Sequence, residues 1–367
     1  MSANTVPGPG ALDDTGTWHT IWPLVIESDS QSYRVSSPHL AKRYTVTPAV
    51  IRLLLDCRDG LGQVSLDDPV VARLVDLGLI TNSSEQVPEP WDRWGCAAWS
   101  FHRRTRDLPF IDGSEPTEDA IAEVASVPRP SSIRGGEGPV VLLPRVAGLR
   151  DVRFVDVLEG RRTHRHYTGD AMRLDDLAVL LRYSFGPIRF ADAGPLGSLP
   201  LKAAASGGAR HETEAFVVVS AVEDLDPGLY HYDWLRHGLE PIDDSVTVET
   251  LEDLTFHQGF FKDACIGVLL GAITERMRWK YHGPRTYRFL FHNAGHVAQV
   301  FSMTAHALGL GASLTGAIKD SRADELLGLD GVADFTTFAM ACGVPERQPS
   351  GLPRSIRVAG RPPAGGY

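Results

Sequence analysis

Cysteine is scarce in this chain. There are four among 367 residues, Cys57, Cys96, Cys265 and Cys342, and none forms a CxxC pair. Their separation excludes a disulfide framework and a thiolate metal site, and the expectation is reduced core thiols in a cytoplasmic protein. Positive charge is also short: 36 Lys and Arg stand against 46 Asp and Glu, a net charge of −10. That balance argues against broad nucleic-acid binding, which needs a basic face. Long apolar runs are missing too. The longest stretches, such as Ala264 to Ile273, are far too short to cross a bilayer. The opening MSANTVPGPG lacks the basic start and apolar run of a secretory signal. No internal repeat occurs. What remains is an ordinary globular composition, with length for one large domain or two to three smaller ones.

The spacing of apolar residues and breakers divides the chain. Residues 1–17 and the final GRPPAGGY are small, polar and Gly/Pro-bearing, and are expected to be flexible. Trp18 to Val46 reads as short strands. Thr47 and Pro48 then form a helix start, an N-cap followed by Pro, with the helix stopping at Gly60. A second helix from about Asp67 to Leu77 ends at Gly78. This N-terminal module, 1–111, reads as winged-helix-like and as a partner- or peptide-binding element. Trp91, Trp94 and Trp99 suit one helical face or an interface. HRRTR at 102–106 fits either a polar rim or an anion site. Residues 112–140, rich in Ser, Pro, Glu and Gly, read as a linker with a short helix in EPTEDAIAEVA. The larger domain, 141–367, alternates helices and strands in an α+β pattern. It has an amphipathic helix at 173–183, a strand AFVVVSAV, a DPG turn into LYHYDW, and a buried strand or the end of a helix at 263–273. A helix opening near His292 and ended by Gly309 follows, then a final strand at 335–344.

Four segments carry chemistry. RWKYHGPRTYRFLFHNAGHVAQ, 278–299, sets Lys280 beside Tyr281, two proton carriers with high reference pKa values that burial or nearby cations bring towards neutrality. EGRRTHRHYTGD, 159–170, offers Arg161, Arg162 and Arg165 around the Thr163 hydroxyl, a phosphate cradle of guanidinium forks. KAAASGGARHETEAFVVV, 202–219, lets the backbone at Ser206, Gly207 and Gly208 approach a ligand, with Arg210 and His211 beside it. It is not GxGxxG, a P-loop or a GxSxG elbow. HALGLGASLTGAIKD, 306–320, leaves Gly311 and Gly316 for close packing on a planar ring, once Gly309 is taken as a helix cap. His292 and His296 share a helix face at i, i+4, but Asn293 stands where HEXXH has Glu, so no metal site is expected.

Together these segments resemble the dehydrogenases of azole-forming peptide biosynthesis (the SagB type), a branch of the flavin-dependent nitroreductase-like superfamily. RRTHR is similar to that superfamily's opening Arg-x-Ser-x-Arg motif, SGGARHETEAFVVV to the branch's Ser-Gly-Gly-Ala-Arg-His segment, and DLDPGLYHYD to its Pro-Gly hairpin. The Lys-Tyr segment, LGLG, LLGLD and CGVP follow in order over about 150–345. Ala205 replaces the usual Pro before Ser206, and Glu212 with Thr213 replaces the common Pro after His211; these departures touch substrate preference. The resemblance implies a nitroreductase-like α+β fold, a homodimer and FMN at the subunit interface. It implies flavin contacts from Arg161, Thr163, Arg165, Ser206, Gly208, Arg210 and Gly311, with Arg347 or Arg354 closing the phosphate site. The implied reaction is oxidation of peptide thiazolines or oxazolines to thiazoles or oxazoles on a precursor peptide, with a cyclodehydratase as possible partner. Tyr281 is the expected base with Lys280 lowering its pKa, and the reverse assignment stays open. A small-molecule flavin reductase and a non-catalytic scaffold of a synthetase complex are the alternatives.

Overall fold

The computed structural model describes residues 17–346, apart from 41, 63, 84–86, 107, 109–117, 137, 146–148 and 150. The expected flexible ends, up to residue 16 and from 347 onward, lie outside the described residues, and so do Arg347 and Arg354. The chain divides into units 1–112 and 113–367. No helix among the described residues is long and apolar enough to cross a membrane.

The first unit opens with strands β1 (His19–Thr20), β2 (Val25–Ser28), β3 (Tyr33–Ser36) and β4 (Tyr44–Val46). β2, β3 and β4 form an antiparallel sheet with β3 central. Helix α1 (Pro48–Asp56) begins at the expected Thr47–Pro48 boundary, where the missing proline N–H costs nothing. α2 (Pro69–Asp76) is capped by the Asp68 carboxylate, which accepts from the N–H groups of Val70 at 2.7 Å and Val71 at 3.3 Å. β5 (Ile80–Thr81) then pairs with β1, and α3 (Glu89–Arg104) closes the unit. Val35, Leu54, Cys57, Val71 and Leu79 form its core. α3 is kinked at Gly95, whose φ is +85°, so the three tryptophans do not share one buried face: Trp99 is buried and Trp94 exposed. The strand-and-helix content is compatible with the winged-helix-like reading.

The second unit runs α4 (Glu118–Ser126), β6 (Val141–Leu142), α5 (Phe154–Gly160), α6 (Leu174–Phe185), β7 (Pro187–Asp192), β8 (Ser198–Lys202), β9 (Thr213–Val219), β10 (Gly228–Asp233), β11 (Gly238–Asp243) and α7 (Val248–Leu254). β12 (Ile266–Ile273), α8 (Thr274–Arg278), α9 (Thr286–Ala307), β13 (Gly311–Thr315), α10 (Asp320–Leu327) and β14 (Asp334–Gly343) complete it. Seven strands form one antiparallel sheet in the order β13-β14-β12-β9-β10-β11-β6. Both faces are covered. Val217, Val219, Val268 and Leu270 meet Leu177, Leu181, Ala298 and Phe301 of α6 and α9. Their neighbours in sequence, Phe216, Val218 and Leu269, turn to Leu251, Leu254 and Leu327 of α7 and α10. A strand buried on both faces needs no polar alternation, which is why β9 and β12 read as unbroken apolar runs.

Two features differ from the sequence reading. α9 opens at Thr286, six residues before His292. Gly283–Pro284 is the last breaker, and the aromatic run from Tyr287 to Phe291 already lies on the helix. The second is the expected linker. Residues 127–136 have no regular structure, yet they are strapped across the second unit. The Arg134 and Gly136 N–H groups donate to Glu214 and Glu240, each at 3.1 Å. Arg276 Nε donates to Ser131 O at 2.7 Å, Trp234 Nε1 to Ser132 O at 3.2 Å and Trp279 Nε1 to Val127 O at 2.9 Å.

Candidate active site

The site forms around the two ends of α9. Near its C-terminal end, the segment after α5 lies alongside β13. Thr163 bridges Ala312, and His164 N–H donates to Ala312 O at 2.9 Å. Ser313 Oγ and Tyr167 Oη both donate to His164 O. The approach explains Gly311: a Cβ there would lie 2.7 Å from His164 Cβ. The structure thus brings the segment that carries Arg161, Thr163 and Arg165 against Gly311 and Ala312. Thr163 and Arg165 are exposed and Arg161 half-buried, and among the described residues neither arginine has a carboxylate partner. Burial, then the charges of Arg162, His306 and Arg161, hold the His164 imidazole below its ordinary pKa.

Near the N-terminal end lies the Ser206–His211 loop, entered from β8 and leaving into β9. It is a tight turn in which Gly208, Ala209 and His211 all have positive φ, at +59°, +52° and +46°. Non-glycine residues rarely adopt that region, so the loop must be held from outside. His211 N–H donates to Ser206 Oγ at 2.9 Å, and Arg210 Nε to Gly208 O at 2.7 Å. Glu212 is fully buried. Asn293 Nδ2 of α9 donates to its carboxylate at 2.9 Å, and Ser206 Oγ lies 3.4 Å away. Burial raises the Glu212 pKa, against the pull of these hydrogen bonds.

Lys280 and Tyr281, just after α8, close on this loop. A Cβ on Gly208 would stand 2.5 Å from Tyr281 Oη and 3.3 Å from Lys280 Cδ. The Lys280 ammonium lies 5.5 Å from the centre of the Tyr281 ring. Burial, with the Arg210 charge second, lowers the Lys280 pKa. Burial raises the Tyr281 phenol, with Arg210 acting the other way. Two groups of the loop remain orphaned: Arg210 Nη2 and His211 Nε2 are buried without a hydrogen-bond partner. Burial, then Lys202, holds the His211 imidazole down to about 3, so it is neutral at physiological pH.

The residues named from sequence therefore form two groups rather than one. Asn293 and His306 mark the ends, 13 residues apart on α9, about 20 Å along the axis. Glu212, Asn293 and Trp279, which fix the loop, were missed as site residues. Glu212 had left a signal, since it stands where the related segments carry Pro. His296 Nδ1 lies 3.1 Å from Ala205 O, a backbone role. Among the described residues no cluster of three His, Cys, Asp or Glu forms a metal site.

Accessible cations without a carboxylate partner at one end, and a glycine-lined strained loop with orphaned polar groups at the other, suit a flat, phosphate-bearing cofactor. The sequence model of the nitroreductase family matches residues 158–344, and the chain belongs to that family. It is accordingly a flavin-type oxidoreductase, and the resemblance read from the ordered motifs is borne out. A protein of Methanocaldococcus jannaschii named as a nitroreductase is 30% identical over 179 residues, 49% of this chain and 86% of its own. The trifolitoxin-processing protein of Rhizobium leguminosarum bv. trifolii is 25% identical over 297 residues, 79% of this chain and 78% of its own. In structure the chain is similar to a nitroreductase from Anabaena variabilis, with a TM-score of 0.50 and 24% identity. That likeness, which speaks for the fold, covers 72% of this chain and half of the other.

Proposed function

We propose that the protein is an FMN-dependent dehydrogenase that oxidises thiazoline or oxazoline rings of a precursor peptide to thiazoles or oxazoles. The observation that carries this reading is the contact of Lys280 and Tyr281 with Gly208, which sets a proton-handling pair against the ligand-facing loop. The relative whose name states trifolitoxin processing supports a biosynthetic role. Its similarity spans 79% of this chain, more than 113–367 contains, so it reaches into the first unit. The nitroreductase-named relative matches only 49% of the chain. A first unit beyond the catalytic domain suits a peptide or a cyclodehydratase partner better than a small substrate.

Arg161 and Arg165, with Thr163, would hold the FMN phosphate and polar edge. Ser206, Gly208 and Arg210 would flank the ring, and Gly311 would admit it to β13. A separation of about 20 Å within one chain favours a homodimer, in which the two groups come from different subunits. FMN, when bound, supplies the two-electron acceptor that no side chain can. The substrate's α carbon gives up a proton, and Lys280 is the better acceptor. Burial and Arg210 favour its neutral amine, whereas burial keeps the Tyr281 phenol protonated. This favours the second of the two assignments left open by the sequence. Tyr281 then orients the ring from beside Gly208, and Glu212 and Asn293 hold the Ser206 hydroxyl in place.

The test is direct. FMN-reconstituted protein incubated with a synthetic thiazoline peptide should yield a product lighter by two hydrogens per ring. Lys280→Ala should keep its flavin absorbance and lose the reaction by about 10²–10⁴-fold. A protein that binds no FMN, or a Lys280→Ala variant as active as the parent, would sink the reading.

A further inference from the structure

The strap brings an additional arginine to the back of the Ser206–His211 loop. Arg129 donates to Ser198 O at 2.7 Å and to Ser132 Oγ at 3.0 Å. Arg129, Pro130, Ser132, Arg210, Arg276 and Trp279 line one small cavity. Arg276 is neutralised by Glu214 at 2.6 Å. Arg210 is 7% exposed, lies over the Trp279 ring at 4.9 Å, and has its Nη2 buried without a partner. Among the described residues no carboxylate neutralises Arg129 or Arg210. The guanidinium of Arg210 thus holds its own turn through Nε, which donates to Gly208 O at 2.7 Å, and leaves Nη2 without a partner at the cavity it lines.

A buried guanidinium and a half-buried one sharing a cavity without a counter-charge is a costly arrangement. Burial first, and Arg129 second, depress the Arg210 pKa, which is the electrostatic mark of that cost. A bound anion would relieve it and would satisfy Nη2. The lining selects the kind of anion. Planar guanidinium forks fit a carboxylate bidentately, and the indole of Trp279 walls the plane.

We propose that this cavity binds a carboxylate of the substrate and so anchors the ring to be oxidised beside Lys280. The proposal rests on the azoline-dehydrogenase reading and adds to it the charge of the substrate. The carboxylate is either an acidic side chain or the chain terminus of the peptide. The anchor would act on substrate affinity, because it lies beside the reacting pair without touching it.

The experiment uses FMN-loaded full-length protein and three synthetic thiazoline peptides: one with a free C-terminal carboxylate, one amidated, and one amidated with a Glu near the ring. In the parent, KM for one or both acidic peptides should be at least 10-fold lower than for the amidated one, and the favoured peptide identifies the source. In Arg129→Gln the acid-to-amide preference should collapse towards one, with flavin absorbance retained. Equal KM for all three peptides in the parent, an unchanged preference in Arg129→Gln, or loss of flavin from that variant would each overturn the proposal. Should no peptide turn over, the azoline reading fails while the site stays testable. Calorimetry of N-acetylglycine against the parent and Arg129→Gln holoproteins must then give saturable binding only in the parent. No saturable binding to the parent would overturn it.

Discussion

The groups at the two ends of α9, which the proposed function assigns to one cofactor, are in opposite physical states. At the C-terminal end the Arg161–Arg165 segment is open. Arg165 is exposed and Arg161 half-buried, neither has a carboxylate partner among the described residues, and the segment's shape comes from backbone pairing with β13. At the N-terminal end the Ser206–His211 loop is closed. Its backbone is strained, its carboxylate buried, and its partners come from β9, α8 and α9. The difference fits the demands of each end. Holding a phosphate needs charge and reach, which an exposed segment supplies. Aligning a ring with a proton acceptor needs position, which only packed surroundings supply.

This contrast can be broken from either side. The largest effect is expected at the closed end. Gly208→Ala adds a methyl group 2.5 Å from Tyr281 Oη at a φ of +59°. It should displace the Lys280–Tyr281 pair and lower turnover by about 10²-fold, as misplacement by an ångström does. Flavin content, read by absorbance, should fall far less than turnover. At the open end the expectation is inverted. Arg161→Ala or Arg165→Ala should weaken FMN binding about 10- to 100-fold each, the worth of a charge-assisted hydrogen bond. Equilibrium dialysis of flavin would measure it, and turnover at saturating FMN should change little.

The smallest effect concerns the strap that backs the closed end. His231 lies between Glu214 at 2.9 Å and Glu240 at 3.1 Å. Burial alone would lower its pKa, but the two carboxylates raise it above the ordinary value. A histidine whose folded pKa is raised adds stability that is full below about pH 6.5 and is lost as pH rises through the folded value. His231→Gln should therefore cost most at pH 6 and progressively less at higher pH, which thermal melts across that range would record. A constant difference in Tm would mean that the imidazolium contributes nothing.

Legibility in the sequence followed the range of the forces involved. The apolar run of β9, the Thr47–Pro48 start of α1 and the Gly309 end of α9 are local signals, and each was legible, whereas the run of β12 fitted a buried strand or the end of a helix alike. Strand order was not, because it depends on pairing between β9 and β12, some 50 residues apart. The strap at 127–136 was misleading for a related reason. Pro, Ser and Gly correctly announce irregular backbone, but its order comes from Glu214, Trp234, Glu240, Arg276 and Trp279, all at least 80 residues away. The residues proposed from motifs stand out by their spacing; those that fix the loop, such as Asn293, lie inside ordinary helical sequence.

Gly208 and Tyr281 occupy each other's space, and this has an evolutionary consequence. A side chain at 208 and a full-length phenol at 281 are mutually exclusive on this backbone. In lineages descending from this chain the two positions should therefore change together, the loop gaining a methyl group only where the aromatic residue has already shortened. The order of those substitutions is fixed by geometry: position 281 moves first.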